Sequence, residues 1–286
     1  MGIFVNPFTD FGFKKLFGTE PNKFLLQHFL NELLYAEQGQ IVDIQYLNNE
    51  HLGHSVLDRK AIFDLYCTNE RGEKFIVELQ KTKQKFFKDR SLYYATFPIR
   101  EQAKRGDNWN FELAAVYTIA ILDFVFDEDK HSEKYRYDVK LTELQTGDIF
   151  YDKLTFIYLS MPKFNKQLHE LDTNFDKWLY AFKHLSELDS IPGELDLQVY
   201  RDFFEKAKIA NFSPKEIAQY EDSLKYYRDL KNSLDTAKEE GRLEGILEGQ
   251  LAEKIAVAKN LKSLGVTNKL IQQATNLSLD EINQLS

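Results

Sequence analysis

Two stretches on either side of residue 70 constrain this chain more than any other part of it. Residues 57–67 and 74–80 both have the apolar, β-branched and aromatic content of strands. The polar loop between them, with Gly72, suits a hairpin. Each strand carries one acid where an apolar residue would pack better. Asp64 stands among Ile62, Phe63, Leu65 and Tyr66, and Glu78 among Phe75, Ile76, Val77 and Leu79. Alternation puts Asp64 on a face with Lys60 and Ile62, and Glu78 on a face with Ile76 and Gln80. A hairpin that turns both faces to the same side brings two carboxylates together. Such a pair is costly to bury unless a cation lies between them.

The hairpin belongs to a longer α/β pattern. Phe24, Leu25, Phe29, Leu33 and Leu34 give residues 21–34 a helical period, with Pro21 in the first turn. A strand over 41–47 follows. After the hairpin, the window 81–90 holds Lys81, Lys83, Lys85, Lys88 and Arg90 against Asp89 alone. It leads into a helix over about 86–105 with Tyr93, Tyr94, Pro98 and Gln102, closed by Gly106. Residues 112–124 read as a buried strand, and 135–144 and 149–160 as two more strands joined by a turn at 145–148. Beyond Pro162 the pattern is helical. The fold class expected is therefore α/β, a mixed central sheet flanked by helices and followed by a helical C-terminal region. The domains expected are 1–162, a helical region over 163–236, and a terminal module over 237–286.

In that module Gly241, Gly245 and Gly249 fall on one helical face, although each glycine costs a helix about 1 kcal/mol against Ala. The face reads either as the approach of another helix, as in a homodimer, or as a solvated linker. Helices over 267–275 and 279–285 then form a pair, with Ser278 and Glu281 set for a capping box. The pair has the outline of a helix-turn-helix. Its last helix bears Asp280 and Glu281 and no Lys or Arg, which suits dimerisation or packing better than DNA reading.

Charge sharpens the search for a site. The net charge of −8 argues against indiscriminate nucleic-acid binding. Residues 1–110, however, hold 15 of the 37 Lys and Arg against 14 of the 45 Asp and Glu, so a polyanion site belongs in that part. A single cysteine, Cys67, excludes an intramolecular disulfide framework. With no leader pattern and no apolar run long enough to span a bilayer, the expected location is the cytoplasm. His51 and His54 lack zinc-ligand company, and no Gly-rich phosphate loop or serine nucleophile elbow is present.

Asp64, Glu78 and the main-chain carbonyl of Leu79 form a donor set suited to a hard divalent cation such as Mg²⁺. Held there, the cation would activate a water and neutralise charge on a phosphate. The basic window would grip flanking phosphates. Solvent-facing strand acids are the plainer reading of the same spacing.

The ordered set of motifs resembles a known family. It consists of Asp10-x3-Lys14-x2-Phe17-Gly18, Phe63-Asp64-Leu65, Val77-Glu78-Leu79-Gln80, Arg90-x2-Tyr93-Tyr94, Gln102 with Gly106, and Ile119 to Phe124. It is similar to the PD-(D/E)xK nuclease core, and more specifically to the PD-(D/E)xK family transposases, or recombination-promoting nucleases. The resemblance covers residues 8–125 and extends to the glycine-spaced tail. It implies a restriction-endonuclease-like core and an Mg²⁺-dependent DNA endonuclease tied to mobile elements, with Asp64 and Glu78 as metal carboxylates. Gln80 stands where the wider superfamily has lysine, and an amide can orient a water but cannot act as a cation. Lys60, on the strand face of Asp64, is a candidate substitute, though four residues place it about 13 Å along the strand. Asp10 either joins the site or caps its own helix. Lys81, Lys83, Lys85, Lys88, Arg90, Tyr94 and Gln102 are the candidate substrate contacts. The alternative is a non-catalytic nucleic-acid-binding or oligomeric accessory protein that retains the fold.

Overall fold

The computed structural model describes residues 2–48, 50–51, 61–103 and 110–285. They form two compact units, Met1–Tyr227 and Arg228–Ser286. Chain order in the first unit begins with α1 (Asp10–Phe17), α2 (Lys23–Gln38), β1 (Ile44–Tyr46), β2 (Glu50–His51) and β3 (Ala61–Ile62). It continues with β4 (Leu65–Asn69), β5 (Lys74–Gln80), α3 (Phe87–Glu101), β6 (Val116–Leu122), β7 (Arg136–Thr142) and β8 (Ile149–Ser160). Then come α4 (Asn174–His184), α5 (Gln198–Ala207) and α6 (Pro214–Ser263), whose first turns belong to this unit.

Six strands make one mixed sheet in the order β1-β4-β5-β6-β8-β7. The β5–β6 and β6–β8 pairs are parallel, and the other neighbours antiparallel. Parallel central strands are covered on both faces, so β6 is apolar apart from Thr118 and every one of its residues is buried. Along β5, Phe75, Val77 and Leu79 face the larger core with Phe17, Leu25, Trp178 and Phe203 from the helices. Ile76, on the opposite face, packs with Phe63, Tyr66 and Phe97 against α3. Glu78 and Gln80 share the face of Ile76 by alternation.

The hairpin register is Leu65 opposite Val77 and Cys67 opposite Phe75. One expectation needs correction here. Residues 57–67 are not one strand, because β3 and β4 are separated at Phe63 and Asp64, and Asp64 sits in a bend. Pairing of β4 with β5 ends at Val77. The next N–H on that edge of β5, that of Leu79, instead donates to Asp64 Oδ2 at 2.8 Å. A side chain has taken the place of the ladder.

The boundary expected at 162 also shifts. Trp178, Leu179, Phe182, Phe203 and Phe204 lie in the same core as the sheet, so the helices after Pro162 complete the first unit rather than forming their own. In the second unit, α7 (Asn268–Thr275) and α8 (Leu279–Gln284) fold with the last turns of α6. Ala258, Ile271, Leu277 and Ile282 bury one another there. Ser278 and Glu281 form the expected capping box. A Cβ built on Gly241, Gly245 or Gly249 would meet nothing within 4 Å. No described helix is long and apolar enough to cross a membrane.

Helix α1 starts under a tight constraint. Thr9 Oγ1 accepts from the Gly12 N–H at 3.0 Å, capping the helix. A Cβ on Gly12 would lie 2.2 Å from the Asn6 carbonyl oxygen. Gly12→Ala is expected to lower stability by about 1–3 kcal/mol in urea unfolding, with an unchanged m-value.

Candidate active site

The C-terminal end of β5 is where the acids meet. Asp64 Oδ2 takes the Leu79 N–H, and Glu78 Oε1 takes the Asp64 N–H at 3.3 Å. Asp64 is thus fixed by β5, and Glu78 by the bend before β4. Among the described residues, Oδ1 of Asp64 and Oε2 of Glu78 receive no hydrogen bond. The Gln80 carbonyl accepts from Asp123 of the β6 side, so the Leu79 N–H and carbonyl point to the opposite edge, toward Asp64.

Burial makes this pair electrostatically demanding. Glu78 is 8% exposed. Its carboxyl is pushed up to about 8, first by desolvation and then by the charge of Asp64. The Arg90 guanidinium, the Asp64 N–H and the Lys14 ammonium pull it back. Burial raises Asp64 as well, against the opposing pull of the Leu79 N–H and of Lys14. Two carboxylates, with a main-chain carbonyl on the same edge, are a hard-oxygen donor set that fits Mg²⁺ or a similar ion. No cluster of three or more His, Cys, Asp or Glu side chains gathers among the described residues. Water would have to complete the shell of such an ion.

The other candidates divide. Asp10 is brought close, pairing with Lys81 at 2.6 Å, and its charge reaches Asp64. Lys81 also lies over the Tyr226 ring, 5.7 Å from its centroid. Gln80 is buried at the site, but both ends of its amide are engaged. Nε2 donates to the Thr82 carbonyl at 2.7 Å, and Oε1 accepts from Arg90. Tyr94 stands beside the pair, against Phe63 and under the Arg90 guanidinium. Burial and the charge of Glu78 both raise its phenol. Lys60 and Gly106 lie outside the described residues.

Gln102 is not brought to the site. Its amide bonds the Pro98 carbonyl and both main-chain groups of Ala114, at the entrance to β6. Gln80 pairs with Leu122 at the other end of that strand, about 20 Å away. The basic window is also less open than its composition suggests. Lys83 pairs with Asp127, and Lys88 with Glu128. Lys85 is exposed and rests over Phe86.

Reasoning from the sequence passed over Lys14 as a site residue. The signal was its spacing of four from Asp10 on a short helix, which puts both on one face. It also passed over the start of α6. An open groove of about 630 Å³ runs along Asp10, Lys14 and Lys15 on one side and Glu216, Asp222 and Tyr226 on the other. Tyr227 donates to Asp123 at 2.7 Å.

A family model described as PD-(D/E)XK nuclease family transposase matches residues 7–237. The chain belongs to this family. The match takes in the whole sheet, the acidic pair and the helices that close the core. It makes the mixed sheet with its flanking helices a restriction-endonuclease-like α/β fold, and the chain a nuclease of the transposase type. Comparison with curated proteins and with solved structures gives no match.

The raised carboxyl of Glu78 sets a pH dependence. From about pH 4.5 to about 8, native Glu78 keeps a proton that the unfolded chain has released, so stability falls as pH rises through that window. Glu78→Gln removes the loss. Melting of the metal-free protein at pH 5 should differ little between the two. At pH 8.5 the variant should be the more stable, by up to roughly 5 kcal/mol.

Proposed function

We propose that the protein is a divalent-metal-dependent DNA endonuclease of mobile-element or recombination-promoting type. One observation carries this reading. Buried Glu78 and half-buried Asp64 lie side by side, Glu78 accepting the Asp64 N–H and Asp64 the Leu79 N–H, with one oxygen apiece left unbonded among the described residues. A structural role would be better served by apolar side chains at both positions.

When bound, the metal supplies a Lewis acid that offsets charge on a phosphate and eases ionisation of a water. Asp64, Glu78 and the Leu79 carbonyl are the groups that would hold it, and Mg²⁺ is the ion their oxygens suit. Burial of the pair keeps solvent from competing for those oxygens. Lys14 and Arg90 add positive charge on the substrate side of the ledger, where a DNA phosphate brings negative charge. The exposed pairs of Lys83 with Asp127 and Lys88 with Glu128 are worth little in water and can exchange for phosphates at small cost. The protein would act in the cytoplasm, in keeping with one buried free thiol, Cys67. The open glycine face of α6 would receive a second copy of the chain.

A non-catalytic accessory role is favoured by one feature. Gln80 is neutral, and its amide is already spent within the protein. Plasmid cleavage separates the two readings. Wild-type protein should cut with Mg²⁺ and not with EDTA, and Asp64→Asn or Glu78→Gln should each lower the rate more than about 100-fold. Cutting that survives Asp64→Asn would remove Asp64 from the site. DNA binding without cutting in any divalent metal would favour the accessory role.

A further inference from the structure

The cations around the acidic pair are not equivalent. Lys81, Lys83 and Lys88 each face a carboxylate. Arg90 does not: among the described residues it forms no ion pair. Its guanidinium is held by two neutral amides. Nη1 donates to Gln84 Oε1 at 2.6 Å, and Nη2 donates to Gln80 Oε1. The Phe87 and Tyr94 rings flank it at 5.0 and 5.6 Å. An amide oxygen fixes a guanidinium without cancelling its charge, whereas a carboxylate at either position would neutralise it. Arginine carries five N–H donors, and these contacts use two. Nε is buried with no partner. The charge reaches Glu78. The site therefore contains a cation that is oriented, half-buried and, among the described residues, without an ion-pair partner and with donors unused.

We propose that Arg90 is the side chain that holds the scissile phosphate, and that Gln80 is the positioning residue that aims it. The positive charge of the site then resides on α3 rather than on β5, and Gln80 acts on the guanidinium, not on a water. This rests on the nuclease reading above, and it extends that reading by assigning the residue that meets the reacting phosphate.

Two measurements on the full chain test it: single-turnover cleavage of a duplex oligonucleotide with Mg²⁺, and the salt dependence of binding to the same duplex with Ca²⁺. Arg90→Met should slow cleavage about 100-fold, as loss of a preorganised donor does. It should also reduce the slope of log K against log[salt] by about 0.9, one phosphate contact. Gln80→Met should slow cleavage about tenfold. The double variant should be no slower than Arg90→Met alone, because Gln80 acts only through Arg90. Arg90→Lys keeps the charge and loses the fork, so the slope should stay at the wild-type value while the rate falls. That variant carries the test if Arg90→Met does not fold.

An Arg90→Met protein with wild-type rate and slope would overturn the proposal while leaving the endonuclease reading intact. Multiplying defects in the double variant would overturn the role of Gln80. If the wild type binds but does not cut, a slope lowered by Arg90→Met upholds the phosphate contact although the endonuclease reading fails. An unchanged slope in that case overturns both.

Discussion

Burial of two like charges at the end of one strand governs the rest of this structure. Asp64 and Glu78 cannot both be ionised in that setting without positive charge nearby, and Glu78 accordingly holds its proton to about pH 8. Three elements answer the problem from different directions. The Leu79 N–H stabilises Asp64 from β5, Lys14 acts on both acids from α1, and Arg90 acts on Glu78 from α3. The proposed divalent cation would supply the positive charge that these three groups only partly provide.

The same constraint explains local features that look like defects. The break between β3 and β4 exists because the Asp64 side chain occupies the edge of β5 that a continuous strand would cover. The amide of Gln80 is turned to Arg90 and Thr82, and this gives the helix a firm hold on the strand end. The close approach at Gly12 brings the start of α1 down on the Asn6 carbonyl. Asp10 then reaches Lys81, next along the chain from Gln80, and the charge of Lys14 reaches the pair.

Much of this was legible in residue order. Apolar and aromatic content and turn punctuation gave β5 at 74–80 and β8 at 149–160 to the residue, because strands bounded by turn residues leave little latitude. Asp64 and Glu78 stood out because an acid in an apolar strand needs a reason. The role of Gln102 was not legible. It caps the helix that holds Tyr94, and only the course of α3 carries it to the far end of β6. The open charge of the window 81–90 was equally hidden. Asp127 and Glu128, which quench two of its lysines, are about 40 residues away in sequence.

The sequence by itself determined the elements, the acidic pair and the family pattern, since these follow from periodicity and from which residue types a buried strand tolerates. Only the tertiary structure decided which charges remain uncompensated. That property depends on partners supplied by α1, α3 and the turn after β6, and electrostatic neutralisation acts across space without regard to chain order. It left Arg90 with two neutral acceptors and Lys83 and Lys88 with acids. No count of lysines and arginines along the chain distinguishes them.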